Sequence, residues 1–380
     1  MCRGITGSML FNKRLPQSQK VAMHAGCGKP SIRHHLSVIR RARRARLSYD
    51  RPEPYRLANP AMAVMATTEA PRLDPKKFRD PFVTAAGERR AQVALRALDT
   101  LWFNTGTLCN LTCQHCYIES SPKNDRLVYL SAAEAGEYLD EIERLGLGTQ
   151  LIGFTGGEPF MNPELPAMLD LALARCFRAL VLTNAMKPMH KVKPALLRIR
   201  DRYGDRLTIR VSIDHYGRQV HETERGRRSW MPTIDGLKWL AANGFAVAVA
   251  SRRLSGESED QLRRGFARLF ADFGLAIDAA DPVALTIFPE MDEAADVPEI
   301  TEACWGILGK SPDMVMCSSS RMVVKFKGAS HPTVIACTLL PYDPRFDLGP
   351  SLAAALGPVP LNHPHCAKFC VLGGGACSRN

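Results

Sequence analysis

Between residues 98 and 288, short β-rich apolar runs alternate with longer stretches whose apolar residues recur every three or four positions. That alternation is the pattern of parallel strand–helix units, because parallel strands are covered on both faces and each crossover needs a helix. Six strands are predicted, over residues 101–105, 151–155, 179–183, 207–213, 246–250 and 283–288. The stretches between them carry helix start and stop signals. Ser131 with Glu134, and Ser258 with Gln261, have capping-box spacing, and Tyr138, Leu139, Ile142 and Leu145 share one helical face. Asn162 before Pro163 reads as an N-cap with proline at the first helical position, and Gly244 closes the helix ahead of residue 246.

Six units are fewer than the eight that close a barrel, so the expected fold class is α/β, a partial (β/α)6 TIM-type barrel spanning residues 98–290. Residues 66–97 read as a lead-in. Beyond residue 290 the rhythm breaks. Residues 300–380 are rich in Cys, Pro and Gly, with a hairpin expected between Arg321 and Ala336 around Gly328, and they read as a small metal-stapled extension.

The 380 residues carry a formal net charge of +12, which would suggest a nucleic-acid or membrane partner if it were spread over the fold. Residues 1–60 account for +11 of it, with thirteen Lys and Arg against Asp50 and Glu53. This leader, including the run from Arg40 to Arg46, lacks both apolar periodicity and the apolar stretch of a secretory signal. Residues 1–65 are therefore expected to be a disordered tail, or sequence ahead of a start at Met62 or Met65; a basic arm for RNA or an acidic partner is the alternative. With no apolar run long enough for a membrane span, the expectation is a cytoplasmic protein with neither nucleic acid nor membrane as partner.

Twelve cysteines are many for an intracellular chain, and their clustering favours metal ligation over disulfides. Cys109, Cys113 and Cys116 fall in Cys-Asn-Leu-Thr-Cys-Gln-His-Cys-Tyr, just past the first strand, on the rim where barrel enzymes do their chemistry. Thiolates at this spacing can wrap one face of a [4Fe-4S] cluster and leave the fourth iron without a protein ligand. Zinc, with His115 as fourth ligand, is the alternative. The second strand ends in Thr155-Gly156-Gly157-Glu158-Pro159, where glycines let the backbone approach a ligand and the carboxylate can accept from an ammonium group. In the fourth strand, alternation puts Ser212 and Asp214 on one face and Val211 and Ile213 on the other. Asn184 ends strand three, and Ser251 with Arg252 ends strand five, an arginine being suited to a carboxylate.

Residues 109–117 resemble the cluster loop of the radical S-adenosylmethionine (radical SAM) superfamily, with Gln114 and His115 as a variation common in its peptide-modifying branch. The turn at 155–159 is similar to that family's motif for the cofactor's amino group. The resemblance implies a [4Fe-4S] cluster on Cys109, Cys113 and Cys116 and S-adenosyl-L-methionine as cofactor. It further implies adenine contact at Tyr117, an amino-group site at Gly156, Gly157, Glu158 and Pro159, and ribose contact at Ser212 and Asp214. Asn184 and Arg252 are placed at the methionine portion. His221 and Arg225-Gly226 resemble the same segment in members with an extra C-terminal cluster domain, although His215 stands where glycine is frequent.

Cys317, Gly328, Cys337, Cys366, Cys370 and Cys377 resemble a reduced SPASM or twitch domain, with nine residues from Gly328 to Cys337 instead of about five. One auxiliary [4Fe-4S] cluster on four of these cysteines is implied, with zinc as the alternative. Cys304 reads as a buried small hydrophobe, with a spare ligand as the alternative; His363 and His365, which flank Cys366, read as exposed loop residues, with ligation as the alternative; and Gly373 to Gly375 read as a flexible turn. The activity implied is reductive cleavage of S-adenosylmethionine to a 5′-deoxyadenosyl radical, which abstracts hydrogen from a peptide or protein side chain, or from a small molecule. An electron donor such as flavodoxin or ferredoxin is the implied partner. A noncatalytic iron-sulfur carrier is the alternative of another class.

Overall fold

All six predicted strands form, and they share one open sheet. The computed structural model describes residues 71–375, so the basic leader, Met62, Met65 and Cys377 lie outside the described residues. A short strand β1 (Gln92–Val93) precedes β2 (Thr100–Asn104), β3 (Leu151–Thr155), β4 (Arg178–Thr183), β5 (Leu207–Ser212), β6 (Ala246–Arg252) and β7 (Leu285–Phe288). Strands β2 to β7 pair with their neighbours in parallel and in sequence order. The crossovers carry α1 (Ala132–Leu145), α2 (Leu165–Ala174), α3 (Lys187–Lys191), α4 (Lys193–Tyr203), α5 (Arg218–Arg225), α6 (Trp230–Ala242) and α7 (Glu259–Asp272).

Both predicted capping boxes are present in full, at Ser131 with Glu134 and at Ser258 with Gln261. Gly244 adopts φ +72° just past α6, as a helix stop should. The Asn162 cap is displaced. Helix α2 starts at Leu165, and the Asn162 side-chain amide donates to the carbonyls of Thr105 (3.2 Å) and Leu130 (2.8 Å), so it ties the strand-end turn to neighbouring loops. Strand five also runs two residues further than expected and includes Ser251 and Arg252.

The two faces of the sheet bury different partners. Leu101, Phe103, Ile152, Phe154, Val181 and Val211 pack against the helices in one apolar cluster. Removing such a ring, as in Phe154→Ala, would cost about 3–5 kcal/mol. On the other face Trp102, fully buried, joins Leu180, Met322, Ile335 and Phe369 in a second cluster. Gly153 makes room for it, since a Cβ there would meet the Trp102 ring at 2.3 Å.

The C-terminal segment completes this second cluster. It contains α8 (Cys304–Leu308), β8 (Ser320–Val324), β9 (Thr333–Ile335) and β10 (Val359–Pro360). The predicted hairpin is β8 with β9, antiparallel, Met322 facing Ile335. Strand β8 then pairs in parallel with β2, Thr100 opposite Ser320, so the cysteine-rich segment extends the same sheet. Strand β1 pairs with β10, which fastens the lead-in to the C-terminal segment, and the buried Arg90–Glu299 ion pair at 2.5 Å holds the same seam.

Candidate active site

The carboxyl ends of β2 to β7 surround a cavity enclosing about 890 Å³. In an open parallel sheet this is where ligands bind, because loops of variable sequence converge there on a rigid base. Cys109, Cys113 and Cys116 line it from the loop after β2, together with Tyr117. Gly156 and Gly157 line it after β3, Thr183 and Asn184 at the end of β4, and Ser212 and Asp214 at the end of β5. Ser251 and Arg252 close the wall, with Phe288 and Met291 supplying an apolar side. Ten of the sequence-predicted site residues in this part of the chain thus meet in one space; Glu158 and Pro159 stand behind its wall.

The glycines act differently from expectation. A Cβ on Gly156, at φ +137°, would come 2.5 Å from the Gly106 carbonyl, and one on Gly157 would come 2.3 Å from that of Leu108. Their primary close approach is therefore to the base of the cysteine loop. Backbone hydrogen bonds from Gly157 to Gly106 (2.8 Å) and from Glu158 to Leu108 (3.1 Å) join the two loops. Burial pushes the Cys109 thiol up to about 12 and raises Cys113 as well, the nearby Arg225 opposing the latter. Without a metal these sulfurs hold their protons, and metal binding would release them.

Glu158 faces inward. Its carboxylate accepts from Thr183 Oγ1 (2.7 Å), the Asn184 amide (2.9 Å) and the Phe160 amide (3.2 Å). Burial raises it to about 7 despite those donors. Its place in the structure is to fix the end of β4, which carries Asn184 to the cavity.

Asp214 is the centre of a buried ionic group. Arg252 donates to both of its oxygens, Nε at 3.1 Å and Nη2 at 3.0 Å, and Ser251 Oγ donates to its carbonyl at 2.9 Å. Arg225 Nη2 donates at 3.1 Å; its Nε lies 2.7 Å away but is not aligned for a hydrogen bond. The two guanidiniums hold the Asp214 carboxyl well below the usual range against the cost of burial. Arg252, an arginine suited to a carboxylate, bridges Asp214 and Glu224 from the cavity wall. Glu224 itself was missed: nothing in its helix marks an acidic residue that reaches the cysteine loop. It accepts from His115 at Nδ1 (2.7 Å).

The second cysteine group also assembles. Cys317 and Cys366 are buried, Cys337 and Cys370 half-buried, and all four belong to the apolar cluster under β2 and β8. The Cys366 thiol is raised by burial and by Cys337 and Cys317 close by. Cys366 and Cys370 sit on a π-helical turn, Cys366–Leu372, a distortion frequent at functional sites. Three expectations change here. Gly373 and Gly375 are not a free turn, since a Cβ on either would meet the Lys368 carbonyl or the Phe369 ring within 2.6 Å. His363 and His365 are buried, not exposed, and burial pushes them down to about 3 and about 4. Cys304 is only half-buried. Among the described residues no group of three His, Cys, Asp or Glu side chains has the geometry to hold a single metal ion.

A family model described as the Radical SAM superfamily matches residues 103–264, the stretch from β2 through most of α7. This stretch, somewhat under half of the chain, is similar to the radical SAM superfamily. The chain is 32% identical over 169 residues to AlbA of Bacillus subtilis (strain 168), the antilisterial bacteriocin subtilosin biosynthesis protein, covering 44% of this chain and 35% of that one. The mycofactocin maturase MftC of Mycolicibacterium smegmatis is 28% identical over 169 residues, covering 44% of this chain and 41% of MftC. The match thus spans about two fifths or less of these relatives' lengths. Among solved structures, Streptococcus suis SuiB bound to S-adenosylmethionine aligns with a TM-score of 0.49 and 12% identity, over 67% of this chain and 63% of SuiB. Among the described residues no helix is long and apolar enough to cross a membrane.

Proposed function

We propose that the chain is a radical SAM enzyme that modifies a peptide or protein side chain. The observation that carries this reading is the single cavity in which three loop cysteines face polar strand ends. The residues fit the cofactors the family uses. Cys109, Cys113 and Cys116 would hold a [4Fe-4S] cluster with one iron left open, and Tyr117, Gly156, Gly157, Asn184 and Ser212 would border S-adenosylmethionine beside it. Asp214 and Arg252 line the same cavity and would border the cofactor as well, while Glu158 and Pro159 would act from behind by fixing these positions. When bound, the two cofactors supply a 5′-deoxyadenosyl radical able to take hydrogen from an unactivated carbon.

The chain's own residues then have defined tasks. Asp214, Glu224, Arg225 and Arg252 balance one another, so they add little net charge to the cavity. Phe288 and Met291 form an apolar side that would exclude water from a reactive intermediate, and Phe369 packs on Phe288 with ring centroids 5.8 Å apart. The C-terminal segment therefore shapes the substrate side. Cys317, Cys337, Cys366 and Cys370 would hold one auxiliary cluster, with Cys377 outside the described residues. A peptide substrate is supported by relatives named for bacteriocin biosynthesis and for maturation. A small electron-transfer protein such as flavodoxin or ferredoxin would supply the electron.

Anaerobic reconstitution followed by reduction and quantification of 5′-deoxyadenosine tests the reading. Cleavage of S-adenosylmethionine by the wild type and none by the Cys109/Cys113/Cys116→Ala variant is expected. A cluster-loaded protein that never cleaves the cofactor would make the chain a noncatalytic carrier.

A further inference from the structure

Between the second and third cysteines of the loop stand Gln114 and His115, and their backbone groups are met by two residues distant in sequence. The Gln114 amide donates to the Glu224 carbonyl at 2.8 Å. The His115 amide donates to Glu224 Oε1 at 2.9 Å, and His115 Nδ1 lies 2.7 Å from Glu224 Oε2. The His115 carbonyl accepts from Arg252 Nη1 at 2.8 Å, while the same guanidinium pairs with Glu224 and with both oxygens of Asp214. Both amides and one carbonyl of the two-residue spacer are thus bound.

The arrangement is costly unless it has a use. Glu224 is 4% exposed, and a buried carboxylate needs charged partners and several donors to stay ionised. Its carboxylate is met by the His115 amide and ring of the cysteine loop and by Arg252 at the end of β6, although α5 already holds its own turn through the Gly226 cap. Arg252 supplies a planar fork that lysine could not reproduce, reaching Asp214 on one side and the loop carbonyl on the other. The clasp therefore joins two strand ends, β5 and β6, and helix α5 to the short arc between Cys113 and Cys116.

We propose that Glu224, with Arg252, is a positioning residue that presets the Cys113–Cys116 arc for its cluster. This rests on the radical SAM reading for its purpose, though not for its geometry. Glu224 touches no cofactor position itself. It acts by removing the freedom of the spacer, so that both thiols face the cavity before metal arrives.

The test uses the full chain, iron-free and reconstituted. Hydrogen exchange of the iron-free chain should be about tenfold faster at the His115 amide in Glu224→Gln than in wild type, with the Gln114 amide, bonded to the main-chain carbonyl of residue 224, and α1 and α2 less affected. Arg252→Lys keeps the charge but loses the fork, and should raise exchange there by about threefold. His115→Ala retains the backbone bonds and should exchange near the wild-type rate. In the loaded protein, iron transfer to a chelator should be faster in Glu224→Gln in the same order. Unchanged exchange and iron release in both variants would overturn the proposal. So would faster exchange throughout the chain, or a variant that melts as a whole, since either marks a general structural role. If wild type binds no more iron than the triple cysteine variant, the radical SAM reading fails while exchange in the iron-free chain still judges the clasp.

Discussion

Cys109, Cys113 and Cys116 line an open-ended cavity among polar strand ends, whereas Cys317 and Cys366 are buried among Met316, Leu339, Phe346 and Phe369 beneath the sheet. The first group is held by ion pairs and backbone hydrogen bonds from four loops; the second is held mainly by apolar packing. A metal in the first setting has room for a small ligand beside it. In the second setting it replaces core, and its binding energy becomes folding energy. Under the proposed function, the contrast would separate a centre for chemistry from a centre that steadies the wall of the same cavity.

Replacing Cys109, Cys113 and Cys116 together by Ala should have the largest effect. Cofactor cleavage should fall to background and iron should drop by about four per chain, with the thermal midpoint little moved. A large fall in the midpoint would break the contrast. Cys366→Ala should do the reverse: the midpoint falls by more than the roughly 1 kcal/mol of lost packing, and loop iron is retained. Calorimetry and iron analysis on one preparation would read both.

Gly157→Ala is next, because its Cβ would lie 2.3 Å from the Leu108 carbonyl. About 1–3 kcal/mol of overpacking strain is expected, together with weaker iron binding at the adjoining cysteine loop and none at the second group.

A pH series sharpens the polar side. Glu158 rises to about 7 in the folded chain, above its unfolded value, so the folded state holds its proton more tightly. Stability should then fall as pH rises from the unfolded pKa through about 7, and Glu158→Gln should flatten that decline in urea unfolding of the iron-free chain.

Tyr342→Phe should be the smallest perturbation. It removes the hydroxyl that donates to the Ile118 carbonyl at 3.0 Å, a link from the C-terminal segment to the cysteine loop, and should cost about 1 kcal/mol.

Much of this was legible from local signals. Strands of four to seven residues, two capping boxes and the 109–117 motif each depend on neighbours close in sequence, and each appears where expected. Glu224 was not legible because its partners come from the β2 loop and the end of β6, distant in sequence, and an acidic residue in a polar helix looks like surface. Nor was the place of β8 beside β2, since pairing across such a separation leaves no periodic trace. Burial of His363 and His365 leaves no local trace for the same reason: the groups around them include Glu293, Asp343 and Phe346, distant in sequence. Asn162 reads as a cap from type and position alone, while its partners, the Thr105 and Leu130 carbonyls, are set by packing of adjacent loops.

The pairing of Thr100 with Ser320 also sets an order of events during synthesis. At about 5–20 residues per second, the strand that bears the cysteine loop waits roughly ten to forty seconds for its second neighbour to leave the ribosome. Through that interval Trp102 has no cover from Met322 and the loop thiols stand beside an unpaired edge. A nascent chain is thus most vulnerable to oxidation and to mispairing just before it is finished, and premature termination anywhere ahead of β8 would leave that edge permanently bare.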